Sequence, residues 1–478
     1  MLKILGLVLY VLATAQLVPL LTCLYPLHWP AARGLLVGVG AAAVLGALLR
    51  RVGREDGELY RREGVLVVVS AWLLASIAGA VPYVASGAVA SPVDALFESA
   101  SGFTTTGASI LVDIEALPRP LLFWRSMTQW LGGIGIVVLF VALLSELGPG
   151  ARILLKLEVP GPKAEILHAR VKETAVALFR IYLVLSASQV LLMLLLGASF
   201  YDALVHTFST VSTGGFSPYA DSLGHFSPAI QTVVLLFMLA SGVNFSLYYA
   251  IASRHPETAR RDSELRFYLM ITGVSIAVLA IDLLGPNAGY ESSPARAVLD
   301  SAFQVTSILT TTGFATADFA EWPDFARALL VGLMLVGGCA GSTAGGAKVV
   351  RVLVGWRAAI REVRLTFSPN SVVAVCVGGK PIPEESVRGV VALLLLWTLA
   401  WGLGAILLAV GDIDLVTAST ASIATLSNVG PGLAAVGPTG SFAFFEPWQK
   451  LVMVGLMLLG RLEFFALLAL FQPQFWRR

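Results

Sequence analysis

A chain of 478 residues that is 57% hydrophobic and 13% charged, with a mean hydropathy of +0.82, is too apolar for a soluble protein of its length. The formal net charge of +2 carries little information, and no nucleic-acid partner is expected. Three cysteines, Cys23, Cys339 and Cys376, are scattered through apolar or near-apolar sequence and frame neither a disulfide scaffold nor a metal site.

The first apolar run, 4–24 behind Lys3, resembles a secretory leader, with a cleavage-like Ala13-Thr14-Ala15. Apolar sequence resumes after a short polar turn at 28–33, so the run reads as an uncleaved membrane helix. A second run covers 34–50. Segments near the length of about 20 residues that crosses a bilayer then come in pairs: 64–85 with 121–147, 174–198 with 227–253, 267–285 with 325–356, and 387–410 with 447–472. The expected fold is an all-α polytopic membrane protein with ten spanning helices. Two N-terminal helices (1–62) precede four pseudo-symmetric helix–pore loop–helix units around a central pore. The unit bounds are 63–150, 151–256, 257–362 and 363–478, the last opening with a cytosolic hairpin.

Inside each pair a short helix-like run leads to one recurring phrase. It reads Thr-Thr-Thr-Gly-Ala at 104–108, Ser-Thr-Gly-Gly-Phe at 212–216, Thr-Thr-Thr-Gly-Phe at 310–314 and Ser-Asn-Val-Gly-Pro at 427–431. The copies lie about a hundred residues apart. Glycine permits the backbone angles that turn successive carbonyls toward an axis, and threonine adds a hydroxyl on a stiff stem. Four re-entrant loops meeting around one axis make an ion filter. Asp94, Asp202, Asp300 and Asp414 precede the phrases by about a dozen residues and are expected to cap the short helices. The partly negative ends of those helices would then face the axis; a plain cap with no functional aim is the alternative, and both can hold together. Asp113, Glu115, Asp221, Asp318 and Glu321 follow the phrases, either concentrating cations at an outer mouth or standing as ordinary loop charges.

Lysine and arginine gather on one side, in Lys3, 50–62, 147–180, 254–266, 348–388 and the last two residues. That side is expected to be cytosolic, which puts both termini in the cytosol and opens all four loops outward. The eighth helix contains five glycines in the ten residues 337–346, each costing about 1 kcal/mol against alanine in a helix interior. Non-helical backbone survives at this depth only when buried or facing water; a close-packing face of small residues is the alternative. Arg461 lies inside the apolar run 451–471, at a cost of roughly 2.5–3.5 kcal/mol on insertion scales. It either snorkels to the cytosol or pairs with Glu463. The stretch 371–383 reads as a β-hairpin, with strand 371–377, turn Gly378-Gly379-Lys380 and a return over 381–383.

The four phrases, Phe123-Trp-Arg-Ser126 with Gln129-Trp-Leu-Gly-Gly133, Gly341-Ser-Thr-Ala-Gly-Gly-Ala-Lys348, Asn428-Val-Gly-Pro-Gly432 and Gly460-Arg-Leu-Glu463 carry a resemblance over essentially the whole chain. The chain resembles the Trk/Ktr/HKT superfamily of potassium transporters, and within it the bacterial TrkH-type membrane subunit. The resemblance implies filter carbonyls from Thr105, Thr106 and Gly107, from Ser212, Thr213 and Gly214, from Thr311, Thr312 and Gly313, and from Asn428, Val429 and Gly430. It implies a gate made of the glycine-rich loop (Gly341, Gly345, Gly346), with Arg461 projecting beneath the filter and Lys348 as a second barrier or an interfacial anchor. Sodium-favouring plant relatives often carry serine in place of the first filter glycine; Gly107 here implies potassium.

The implied function is potassium-selective uptake across the bacterial cytoplasmic (inner) membrane, with K+ bound in the filter and no organic cofactor. A Na+-permeable or ion-coupled cation symporter of the same fold is the alternative. Implied partners are a second copy in a homodimer, membrane lipid, and a cytosolic nucleotide-binding RCK-type regulatory subunit (TrkA-like), which the hairpin would touch unless it merely caps the bundle. No Walker loop or G-x-G-x-x-G between strand and helix is present, so nucleotide control must come from such a partner. A rocking secondary transporter would need inverted halves around a midplane site, which four parallel units do not offer. An enzyme would need a nucleophile, paired carboxylates or metal ligands at depth, and the scattered His28, His168, His206, His225 and His255 make no such constellation.

Overall fold

The computed structural model describes residues 1–23, 28–53, 61–135, 171–286, 289–290 and 292–476. Helices α1 (Leu2–Leu17, continued by a 3-10 turn to Cys23) and α2 (Trp29–Val52) pack side by side at the N-terminus. The first unit holds α3 (Arg61–Ala85), α4 (Pro92–Phe103) and α5 (Arg119–Gly133). The second holds α6 (Val171–Leu195), α7 (Phe200–Val211), α8 (Pro228–Ser241) and α9 (Phe245–Ala252). The third holds α10 (Ser263–Leu283), α11 (Pro294–Leu309), α12 (Asp324–Val336) and α13 (Val349–Phe367). The fourth holds α14 (Glu384–Leu408), α15 (Leu415–Leu426), α16 (Pro447–Arg461) and α17 (Glu463–Ala469).

Polarity is inverted relative to a soluble protein. Leu195, Ile281, Leu403 and Ile406 are among the large apolar side chains on the outside, while the threonines and serines of 99–106, 207–213, 306–312 and 420–427 are buried at the centre. Such a surface suits lipid, and the interior suits a polar path. The chain is a multi-pass membrane protein.

Ten unbroken spans do not occur among the described residues. Six helices are long and apolar enough to cross a membrane: the two N-terminal helices and the first helix of each unit. Among the described residues the second helix of each unit ends early or breaks instead. In the first unit α5 stops at Gly133, ahead of Gly135 at φ +81°, and the remainder of the expected 121–147 helix lies outside the described residues. In the second, α8 and α9 meet at 91°, with Asn244 capping α9 by accepting from the Ser246 N–H at 2.9 Å. The third unit breaks over 337–348, beginning at Gly337 with φ +76°. In the fourth, Arg461 is the last residue of α16 rather than the interior of one long helix.

Two smaller expectations are also corrected. Only Asp414 is an N-cap, accepting from the Thr417 N–H at 2.9 Å. Ser91 and Ser199 cap α4 and α7, which puts Asp94 and Asp202 three residues in, and Asp300 sits well inside α11. These carboxylates serve other partners instead: Asp94 pairs with Lys450 at 2.7 Å, Asp202 accepts from the Tyr219 hydroxyl at 2.9 Å, and Asp300 pairs with Arg296 one turn earlier on α11 at 2.8 Å and accepts from the Thr316 hydroxyl at 2.7 Å. The hairpin is shorter than its apolar run suggests. Strands β1 (Cys376–Val377) and β2 (Lys380–Pro381) enclose a two-residue Gly378-Gly379 turn, both glycines at positive φ, so Lys380 belongs to the strand.

One buried ion pair ties α4 to α5. The Arg125 Nε donates to Glu98 Oε1 at 2.5 Å, with both side chains at 2% exposure or less. Arg125 also donates to the Ser217 carbonyl at 2.9 Å and stacks 3.7 Å from the Phe216 ring centroid, carrying the tie into the second unit. Breaking a buried pair by removing one partner costs about 3–5 kcal/mol. Arg125→Met is therefore expected to lower the melting midpoint in detergent clearly. The double replacement Glu98→Gln with Arg125→Met should recover much of that loss, because it leaves no uncompensated charge.

Candidate ion pathway

Each central loop starts from how its short helix ends. The N–H of Thr106 reaches back to the Ser101 carbonyl at 2.8 Å and that of Thr105 to the Gly102 carbonyl at 3.0 Å. This is the Schellman pattern, in which the residue after the C-cap is left-handed. It recurs three more times: Gly214 to Ser209 with Thr213 to Thr210, Thr312 to Ser307 with Thr311 to Ile308, and Val429 to Ala424 with Asn428 to Thr425. The left-handed residue is Thr105, Thr213, Thr311 and Asn428 in turn, at φ +56°, +57°, +58° and +56°. A second left-handed position follows two residues later, at Gly107, Gly215, Gly313 and Gly430. Alternation of hand turns successive carbonyls the same way. Among the described residues, no backbone N–H donates to the carbonyls of these four three-residue strands.

The strands close into a ring. A Cβ built on Gly107 would meet the Gly214 carbonyl oxygen at 2.2 Å, one on Gly215 the Thr312 oxygen at 1.9 Å, one on Gly313 the Val429 oxygen at 2.0 Å, and one on Gly430 the Thr106 oxygen at 2.7 Å. Each glycine faces the middle carbonyl of the next strand, first to second to third to fourth and back to first. Glycine is required on steric grounds at all four corners. A cavity of about 70 Å³ on one side of the ring is lined by the same four glycines.

The ring shifts one expected residue set. In the second unit the geometric equivalents of Thr105, Thr106 and Gly107 are Thr213, Gly214 and Gly215, not Ser212, Thr213 and Gly214. Ser212 is the right-handed C-cap, with φ −77° and ψ −11°, matching Thr104, Thr310 and Ser427. Matching Ser-Thr-Gly to Thr-Thr-Gly by letter hides the shift; the helix-end hydrogen bonds fix it. The other nine expected filter residues occupy the ring.

The expected gate residues gather on the opposite side. Gly337 and Gly346, both at positive φ, pack backbone to backbone at the neck of the loop, with Cβ positions 2.8 and 2.6 Å from the other's Cα. The loop then bonds to the second and fourth units as well as to its own. Gly341 accepts from the Phe245 N–H at 2.9 Å, the Thr343 hydroxyl donates to the Val211 carbonyl at 3.0 Å, and the Gly346 N–H donates to the Ser427 carbonyl at 3.0 Å. The Gly345 N–H donates to the Thr311 hydroxyl at 2.6 Å. Arg461 reaches the same level, donating to the Thr105 hydroxyl at 3.1 Å, the Thr343 carbonyl at 2.9 Å and the Gly132 carbonyl at 2.7 Å. Lys348 is buried at φ +78° and donates to the Ala344 carbonyl. Beside these groups lies a cavity of about 100 Å³ lined by Trp72, Thr343, Gly345, Lys348 and Arg461 among others.

Three residues with no role assigned from sequence hold this assembly. Glu98 accepts from the Ile110 N–H at 3.0 Å and pairs with Arg125 behind the first strand. Gln129, within one of the motifs carrying the resemblance, contacts the second strand. Glu264, in the first turn of α10, accepts from the N–H groups of Ala340 at 2.7 Å and Val350 at 3.3 Å, holding the glycine-rich loop near both ends. A carboxylate just ahead of an apolar run was the signal available for Glu264, masked by the four arginines of 254–266.

A family model described as TrkH, cation transport protein, matches residues 37–478. The Trk system potassium uptake protein TrkH of Salmonella typhimurium is 40% identical, over 89% of this chain and 88% of that protein. The protein of the same name from Halomonas elongata is 38% identical, over 100% and 99%. The Trk system potassium uptake protein TrkG of Escherichia coli strain K12 is 35% identical, over 88% and 86%. The crystal structure of the potassium transporter TrkH from Vibrio parahaemolyticus aligns with a TM-score of 0.89 at 36% identity, covering 100% of this chain and 99% of that one.

The register of the second strand is open to a direct test. Gly215→Ala forces a Cβ onto the Thr312 carbonyl at a left-handed position, a strain of about 1–3 kcal/mol that should cut cation flux about tenfold or more. Ser212→Ala removes only a hydroxyl bonded to the Ser209 carbonyl at 3.2 Å and should leave flux near that of the parent. The opposite ranking would restore the Ser212 to Gly214 register.

Proposed function

The chain belongs to the TrkH family of cation transport proteins, and on that footing we propose that it takes up potassium through the four-strand ring. The observation that carries the reading is the closed cycle of glycine against neighbouring carbonyl. It puts carbonyls that no backbone N–H engages on four sides of one axis, which is what a dehydrated cation needs in place of its water. Potassium is the cargo, held by the carbonyls of Thr105, Thr106, Gly107, Thr213, Gly214, Gly215, Thr311, Thr312, Gly313, Asn428, Val429 and Gly430. The repeating units run over 63–150, 151–256, 257–362 and 363–478, after the N-terminal pair in 1–62.

The gate is the 337–348 loop with Gly341, Gly345 and Gly346, together with Arg461 and Lys348. In the arrangement described, the inner hydroxyls of Thr105 and Thr311 are engaged by Arg461 and by the Gly345 N–H. A cation leaving the ring on that side would meet those donors, so conduction requires the loop and the guanidinium to move aside. Positive residues such as Arg254, Arg260, Arg261, Arg351, Arg357 and Arg364 fall in the segments adjoining the gate, which supports a protein of the inner membrane with its gate and both termini on the cytosolic side. A second copy of the chain and a nucleotide-binding RCK-type subunit docking on that face complete the proposed transporter.

The test is cation entry into liposomes holding the purified chain, with and without the cytosolic partner, in parallel K+, Rb+, Na+ and Li+ gradients. Flux favouring K+ and Rb+ is expected. Flux of Na+ equal to K+ would move the protein to a sodium-permeable branch, and silence even with the partner would sink the reading. Arg461→Gln removes a positive charge beside the path and is expected to raise K+ flux by about an order of magnitude; unchanged flux would free Arg461 of the barrier role.

A further inference from the structure

The four strands are unequal at their middle position. Thr106 and Thr312 each share a 2.8 Å hydroxyl contact with the threonine two residues earlier, Thr104 and Thr310. Val429 fills the same place in the fourth strand with a buried apolar side chain. The second strand has Gly214, with no side chain at all.

The space is not left empty. Gln129 arrives from α5 of the first unit, fully buried, and a Cβ built on Gly214 would fall 2.4 Å from its Cδ, 2.7 Å from its Oε1 and 2.8 Å from its Nε2. Its amide grips the strand at two points: Nε2 donates to the Gly214 carbonyl at 2.6 Å, and Oε1 accepts from the Phe216 N–H at 3.0 Å. Gly214 is thus the one middle residue whose carbonyl has a side-chain donor among the described residues. One turn earlier on the same helix, Arg125 stacks on Phe216 and donates to the Ser217 carbonyl, so the amide is carried on a fixed support.

We propose that Gln129 is a specificity-positioning residue, whose amide stands in for the missing side chain of the second strand and sets the place of the Gly214 carbonyl in the ring. A glycine carbonyl without that hold can tilt inward, toward a smaller ion. A carbonyl oxygen has two lone pairs, so it can accept from the amide and still face a cation. Held back by Gln129, it keeps the ring at the width of its three other sides. Losing the donor narrows or loosens one side of four and lets Na+ compete with K+.

The inference rests on reading the ring as a cation filter, and the experiment separates the two. Initial K+ and Na+ influx into liposomes is compared for the parent chain, Gln129→Leu, and the double variant Gln129→Ala with Gly214→Thr. The double variant frees the space and rebuilds there the hydroxyl pair of the first and third strands, now with Ser212. Expected are a K+/Na+ ratio lower by about fivefold or more in Gln129→Leu, the worth of one lost hydrogen bond to a buried carbonyl, and substantial recovery in the double variant. An unchanged ratio in Gln129→Leu overturns the proposal, as does a lowered ratio that the double variant fails to recover. If Gln129→Leu does not fold, the double variant decides alone: a ratio near the parent's supports the stand-in role, and a low ratio overturns it. A parent chain silent to every cation sinks the filter reading and this proposal with it. A conducting parent with no preference for K+ overturns this proposal, and a selective parent beside an equally selective Gln129→Leu sinks this proposal only.

Discussion

Everything at the centre of this protein follows from one constraint: backbone carbonyls must be left without N–H partners in the middle of a membrane. Such groups are expensive when buried, so the backbone around them is arranged to use its own N–H groups elsewhere. The first two N–H groups of each strand bond back to the last carbonyls of the re-entrant helices, which would otherwise be orphans themselves. One set of hydrogen bonds serves both groups and leaves the strand carbonyls without a backbone donor. The short helices exist to accept those bonds as much as to aim a dipole.

The same constraint explains the residues chosen. A Schellman ending favours glycine or asparagine at the left-handed residue, and the fourth strand complies with Asn428. The other three use threonine, a β-branched residue that strongly disfavours positive φ. That strain is tolerated in exchange for a hydroxyl at the inner end of the ring, where Thr105 and Thr311 already engage Arg461 and Gly345. Asn428 supplies a polar group by another route, its Nδ2 bonding to the Thr106 hydroxyl at 2.9 Å and the Met457 carbonyl at 3.0 Å.

Much of this was legible in the order of residues, and the misses have physical reasons. Four phrases between apolar pairs reveal four loops because repetition survives sequence drift better than any single motif. Their letters misplace the second strand by one residue, since Ser212 and Thr213 look alike while their backbone angles and hydrogen bonds differ. Hydropathy reads 227–253 and 447–472 as single helices because a break at Gly242 or after Arg461 costs no apolar character. The aspartates look like caps because spacing from a glycine does not say which polar residue starts the helix; Ser91 and Ser199 took that place. Gln129, Glu98 and Glu264 went unassigned because their partners lie on other elements, as with the 85 residues separating Gln129 from Gly214.

The four middle residues of the ring, Thr106, Gly214, Thr312 and Val429, are encoded separately in one gene rather than copied by an oligomer. Any single codon change therefore alters one side of the ring and leaves three sides intact. Ion preference in such a protein can drift in small steps through functional intermediates, where a filter built from four identical chains must change all its sides at once.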